Sequence, residues 1–198
     1  MGRWCSEEQR MADTPELPAD PRNLLAFIPF LQDDAVDRLL ETAARRLIVQ
    51  GRRVEGLIQH AVTVGDQCCG AVDLKDIATG KRWQIMQALG RNARGCRLDF
   101  NVLSEVSVFT EGRIQTRPDI IILNRFGKAE AEGCGLRSVF EAAFLAGVPV
   151  LTTVKETYLD FWRDFAGDLS QPLPARVDAI VAWCLAAGPK AERDDHAA

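Results

Sequence analysis

Residues 119–133 read Asp-Ile-Ile-Ile-Leu-Asn-Arg-Phe-Gly-Lys-Ala-Glu-Ala-Glu-Gly. Asp119–Leu123 is almost wholly apolar and rich in β-branched side chains, without the polar alternation of a half-solvated strand. An unbroken apolar run of this length is the pattern of a strand covered on both faces, as in a parallel sheet flanked by helices. Polar residues begin abruptly at Asn124 and charges at Arg125, where the predicted strand gives way to a loop. In open α/β sheets ligands bind outside the carboxyl ends of the strands, so Asn124–Glu132 falls where a site is expected.

Upstream, Leu24–Phe30 (LLAFIPF) is a short buried strand, with Pro29 near its end. Asp33 and Asp34 are positioned to cap a helix in which Val36, Leu39, Leu40, Ala43, Ala44 and Leu47 recur at helical spacing and which stops near Gly51. Arg53–Gln59 is the next strand, and strand, helix, strand with short turns is the signature of a parallel crossover. Ala71–Ile77 and Arg82–Gln87 form a hairpin around Ala78–Lys81, Leu89–Phe100 is irregular, and a helix follows from Asn101 toward Glu111. Downstream, the pattern predicts a helix over Gly135–Ala146, a strand over Val148–Val154, and amphipathic segments at Tyr158–Phe165 and Ala175–Ala187. Trp162, Phe165 and Trp183 lie at helical spacings and are expected in the core, whereas Trp83 in the hairpin is less constrained.

The 198 residues suit one domain at residues 23–187, with a flexible segment at 1–22 (Met11 being a second possible start) and a disordered tail at 188–198. A net charge of −4, with Lys and Arg interspersed among Asp and Glu, leaves no basic stripe for nucleic acid. No run reaches the roughly 18 apolar residues of a membrane span, and the start lacks the apolar centre of an export signal, so the expected location is cytoplasmic. Cys5, Cys68, Cys69, Cys96, Cys134 and Cys184 are then expected as reduced thiols. They form no C-x-x-C pair; Cys68, Cys69 and Cys96 are the candidates for a soft-metal or redox cluster, against the alternative of small buried hydrophobes.

The order of Val54–Gln59 (VEGLIQ), Leu123–Glu130 (LNRFGKAE) and Val148–Val154 (VPVLTTV) resembles the P-loop nucleoside triphosphatases of the THEP type. The likeness spans roughly Leu24–Cys184 and implies a three-layer P-loop NTPase-like α/β domain, with a mostly parallel central sheet and a small β-hairpin insertion. Gly56–Gln59 (GLIQ), Asp73–Gly90, Gly95–Asp99 (GCRLD) and Asn124–Gly133 (NRFGKAEAEG) are similar to a bacterial domain-of-unknown-function family with an NRFGKxEAEG-type motif. That second resemblance implies a gene neighbourhood of molybdate ABC transporters, and hence a link to molybdenum handling.

The departures from a working P-loop are specific. G-x-x-x-x-G-K-[ST] wraps phosphates with backbone N–H groups, reaches them with Lys and holds magnesium with a hydroxyl. Pro29–Val36 (PFLQDDAV) has no glycine, no lysine and no hydroxyl, and carries two carboxylates. Asn124-Arg125 stands where the magnesium-organising acids of the second motif belong. NTP hydrolysis and a Mg–NTP requirement are therefore not expected, and no catalytic residue is assigned.

The leading expectation is a non-hydrolytic module binding a small anion or nucleotide, with a role in molybdate uptake or homeostasis. Arg125, Lys128 and Arg97 would supply cations and Asn124 a neutral donor, Glu130 and Glu132 would orient them or bind hydroxyls, and Asp99 joins them as a candidate ligand-binding residue. Two alternatives stand beside it. One is an enzyme of altered chemistry using convergent carboxylates from Asp73, Asp99, Glu130 and Glu132. The other is a thiol-dependent metal-handling partner of molybdenum-cofactor or transporter machinery, ligating through Cys68, Cys69 or Cys96.

Overall fold

The computed structural model describes residues 24–31, 33–62, 71–88 and 96–188. Its parallel strands are β1 (Leu25–Phe30), β2 (Val54–Val62), β7 (Ile120–Phe126), β8 (Val150–Lys155) and the short β9 (Ser170–Pro172). β3 (Ala71–Asp76) and β4 (Arg82–Gln84) extend the sheet antiparallel beside β2, giving the order β4-β3-β2-β7-β8-β1-β9. The expected mostly parallel sheet with a hairpin appendage is thus the observed one.

Helices cover both faces. α1 (Asp33–Val49) packs with α6 (Val177–Ala187) on one side, where Val36, Leu40, Ala43 and Leu47 meet Ile180, Val181 and Trp183. α2 (Phe100–Ile114), α4 (Arg137–Leu145) and α5 (Leu159–Ala166) cover the other. Trp162 is fully buried among Phe27, Phe126, Phe140 and Phe165, with ring centroids 5.1–5.9 Å away. The chain leaves β1 into a helix on one face and leaves β8 into a helix on the other. These adjacent strands therefore form the switch point at whose carboxyl edge α/β sheets open a crevice.

Several boundaries moved for identifiable reasons. The predicted run 82–87 divides at Ile85, whose backbone N–H donates to Val72 and whose carbonyl accepts from Asp99. Beyond it, β5 (Met86–Ala88) pairs as a separate two-stranded sheet with β6 (Cys96–Leu98), a strand inside the stretch 89–100 expected to be irregular. β7 runs on through Phe126, so Asn124 and Arg125 are strand residues rather than loop residues. A short α3 (Lys128–Ala131) occupies part of the predicted loop. Edge strand β9, ending in Pro172, had no apolar pattern to announce it. Trp83 is buried rather than loosely held: its indole N–H donates to Glu105 at 2.8 Å and its ring meets Phe109 at 4.9 Å. That indole, with Lys81, holds the Glu105 carboxyl below the usual carboxylate range.

An ion pair with a buried carboxylate and a half-buried guanidinium braces the sheet. Glu55 on β2 accepts from Arg113 of α2, and this bond pushes the guanidinium above its ordinary value. No helix among the described residues is long and apolar enough to cross a membrane. The predicted end segments 1–22 and 188–198 lie outside the described residues except for Gly188, whose backbone N–H donates to Cys184 at 3.1 Å.

Candidate functional site

β7 ends in a bulge. Leu123 pairs with Thr152 and Phe126 with Val154, so Asn124 and Arg125 together oppose Thr153. A bulge re-aims the side chains it carries, and both of these reach Asp37 on α1. Asn124 Nδ2 donates to Asp37 Oδ1 at 3.0 Å, and one terminal nitrogen of Arg125 donates to both Asp37 oxygens at 3.1 and 3.0 Å. The Arg125 guanidinium also lies 5.2 Å from the centroid of Phe30, a cation–π distance. The backbone carbonyl of Asn124 accepts from the Thr153 hydroxyl, which secures the bulge to β8.

This arrangement inverts the electrostatics of a P-loop centre. There a hydroxyl on the first helix and a carboxylate on the strand hold magnesium between them. Here the carboxylate is on the helix, the cation is on the strand, and they bond directly. Only two sequence positions separate the end of β1 from the start of α1, too few to wrap a phosphate. Beside it is a hollow of about 370 Å³ lined by Pro29, Phe30, Leu31, Ala35, Val36, Leu39 and Ala175, which among the described residues offer no side-chain donor for an anion. The side chains of Asp33 and Asp34, expected to cap α1, lie outside the described set.

The rest of the motif builds a loop. Glu130 is 7% exposed, and its carboxylate accepts from the backbone N–H of Gly127 and of Leu136, each at 2.9 Å. It therefore pins the start of α3 to the start of α4. Gly135 has φ +66°, and a Cβ there would meet Glu130 Oε1 at 2.2 Å, so the carboxylate and the glycine require each other. Lys128 and Glu132 sit exposed one turn apart on this loop, 3.7 Å from each other, an arrangement that holds neither side chain firmly.

Asn124, Arg125, Lys128 and Glu130 line one cavity of about 180 Å³. Gln59 at the end of β2 joins them, and Leu74, Ile85, Leu98, Leu103 and Leu136 form an aliphatic wall. Asn124 is 2% exposed, and its Oδ1 has no hydrogen-bond partner. The structure thus brings four of the predicted residues together. Asp99 is the N-cap of α2, accepting from Asn101 and Val102 backbone N–H at 3.0 and 3.2 Å, and Glu132 does not line the cavity. Arg97 lies on β6, and its side chain, like that of Cys96, is outside the described set, as are Cys68 and Cys69 altogether. Asp73, on β3, faces Arg82 at 3.9 Å. The four carboxylates of the altered-enzyme reading are thus spread over a strand, the N-cap of α2, and α3 with its C-cap. Among the described residues no group of three or more His, Cys, Asp or Glu side chains could hold a metal ion.

Sequence reasoning missed Asp37, Gln59 and the aliphatic wall. Asp37 carried a signal, as a third acid one turn beyond Asp33 and Asp34. Gln59 and the leucines carried none, because their convergence depends on the sheet order.

The two thiols with described side chains differ sharply. Burial pushes the Cys184 thiol up to about 12, and Cys134 is exposed. Only a thiolate attacks an alkylating agent. Iodoacetamide at pH 8 should therefore label Cys134 at least about 100-fold faster than Cys184 in the native chain, since both burial and protonation protect the latter. Peptide mass spectrometry reads this directly, and comparable rates would mean that α6 does not stay packed.

The chain is similar to the molybdenum import ATP-binding protein ModC 2 of Bradyrhizobium diazoefficiens, 35% identical over 179 residues. The match takes in 89% of this chain but only 20% of that protein, so the chain spans about a fifth of its relative's length. Among solved structures it resembles a human cancer-related nucleoside triphosphatase, with a TM-score of 0.59 and 13% identity over 84% of this chain and 99% of that one, a likeness of fold. Residues 25–183, from the first residue of β1 to within the last helix, match the family described as "Protein of unknown function (DUF2478)", and the chain belongs to that family.

Proposed function

We propose that this protein is a non-hydrolytic binding module for a small anion or nucleotide, serving as an accessory to molybdenum import. The observation that carries the reading is the Asp37–Arg125 ion pair at the site a P-loop enzyme keeps for its metal and phosphates. Hydrolysis depends on charge neutralisation by that metal and by a phosphate-wrapping loop, and both positions are given over to other groups. The 180 Å³ cavity beside the pair retains the features of a ligand site: an apolar wall, a few convergent polar groups, and cations at its rim. Arg125 is held against Asp37 by hydrogen bonds from one terminal nitrogen to both carboxylate oxygens. It is therefore oriented in advance, which lowers the cost of ordering it on binding. The import role follows the printed name of the relative from Bradyrhizobium diazoefficiens, in which a segment like this chain belongs to a longer ATP-binding protein.

Calorimetry with molybdate, tungstate, sulfate and nucleotides tests the reading. The best ligand should bind without releasing phosphate. Arg125→Ala should weaken it by about 1.5–3 kcal/mol, roughly 10- to 100-fold, the range for a charged hydrogen bond. Asp37→Asn should act in the opposite direction, because the competing carboxylate charge is gone. Indifference of the protein to every probe, with Arg125→Ala no different from wild type, would overturn the proposal.

A further inference from the structure

We infer that the cavity beside β7 takes a flat heterocycle bearing N–H donors and carrying a phosphate monoester, the chemistry of a nucleoside monophosphate, in preference to a bare oxyanion. This rests on the reading of that edge as the ligand site and narrows its ligand.

The wall sets the body of the ligand. Leu74, Ile85, Leu98, Leu103 and Leu136 come from five separate places in the fold and present only aliphatic surface. A small tetrahedral dianion placed against them would give up hydration for contacts that cannot hydrogen-bond. An aromatic ring loses little hydration there, and an aliphatic cavity of about 150 Å³ is already enough for a benzene-sized ring. This one measures about 180 Å³.

Asn124 sets the polarity of the ligand's edge. Its Nδ2 is committed to Asp37, and the flipped amide would set its oxygen against a carboxylate oxygen. Its Oδ1 is left as a buried acceptor without a partner. Such an acceptor asks for an N–H or O–H donor, and a dianionic oxyanion offers none. A heterocyclic amino or imide group does, and the Gln59 amide at the same cavity can both give and accept.

Lys128 sets the tail. It is exposed at the rim, and its contact with Glu132 at 3.7 Å is loose enough to be exchanged for a phosphate.

The test is calorimetry on the full chain with adenosine, guanosine, cytidine and uridine monophosphates, the four parent nucleosides, inorganic phosphate and molybdate. At least one monophosphate should bind about tenfold or more tighter than both its nucleoside and either inorganic anion, since ring and phosphate are each recognised. Leu98→Phe, which fills the wall, should erase that preference. Lys128→Ala, an exposed change that leaves folding intact, should bring the monophosphate's affinity down to that of its nucleoside. If molybdate or phosphate binds as tightly as every monophosphate, the inference fails and the anion-binding function stands. If no probe binds, both fail. A monophosphate preference that survives Leu98→Phe and Lys128→Ala belongs to another surface and also overturns the inference.

Discussion

Gly56→Ala should unfold the protein or cost it about 4 kcal/mol or more, beyond the range of ordinary substitutions. Gly56 lies inside β2, in register with Ile122 of β7, at φ +116°, a conformation that side chains rarely adopt. A Cβ at this position would stand 2.1 Å from the Ile122 carbonyl oxygen, and a backbone atom of a central strand cannot step aside. The neighbouring residue compounds the effect, because Glu55 is buried against Arg113 and would be displaced with the strand. For a domain of this size the loss corresponds to a fall of roughly 10 °C in melting temperature. Two other glycines separate the causes. Gly51 has φ +78° but open space around it, so Gly51→Ala should cost only the backbone term of about 1–2 kcal/mol. Gly112 is helical with nothing within 4 Å, so Gly112→Ala should be neutral or stabilising by up to about 1 kcal/mol. Thermal melts that rank Gly51→Ala as severe as Gly56→Ala would show that close strand approach is not the reason for the glycine.

This glycine illustrates how legibility divides along the chain. Segments whose identity depends on local pattern were readable: the Ile120–Leu123 run, the α1 stripe and the helical placement of Trp162 all emerge as the periodicity predicts. Features that depend on which strand lies beside which were not. The bulge at Asn124-Arg125 exists because β7 and β8 differ by one residue between two pairings, and nothing in either strand alone announces that. Arg82–Gln87 looks like one strand, yet Ile85 turns its ends into different sheets by bonding outward to Val72 and Asp99. The candidate site was half legible for the same reason. A turn grown acidic and a strand end grown basic pointed to a redistribution of charge, but not to Asp37 as the partner of Arg125. Nor did the dense charged motif distinguish Glu130, whose carboxylate accepts from two backbone N–H groups of its own loop, from the exposed acid beside it.

That acid carries the second large prediction: Glu130→Ala should destabilise the fold by about 3 kcal/mol or more and abolish ligand binding together. Its two bonds are charge-assisted, in the class worth about 1.5–3 kcal/mol each, and truncation leaves the N–H groups of Gly127 and Leu136 without their acceptor. Gly127, Lys128, Ala129 and Leu136 all line the cavity, so release of the loop disperses the site. Glu132→Ala, two residues along and exposed, should stay within about 0.5 kcal/mol of wild type. The informative variant is Glu130→Gln. It keeps the volume, but only one of its terminal atoms accepts, so it can serve one N–H while its own amide hydrogens face the other. A scaffolding carboxylate predicts that Glu130→Gln loses most of the stability that Glu130→Ala loses, and that binding falls with it. A proton-handling carboxylate predicts the reverse, with the stability of Glu130→Gln intact and only turnover affected. Gly135→Ala provides an independent check, since its Cβ would press on Glu130 Oε1 and should reproduce the loop defect with the carboxylate still present. Coincidence of the Glu130→Gln and Gly135→Ala phenotypes would make the Gly127–Leu136 loop a frame for the site, leaving Asn124, Arg125 and Lys128 as the groups that meet a ligand.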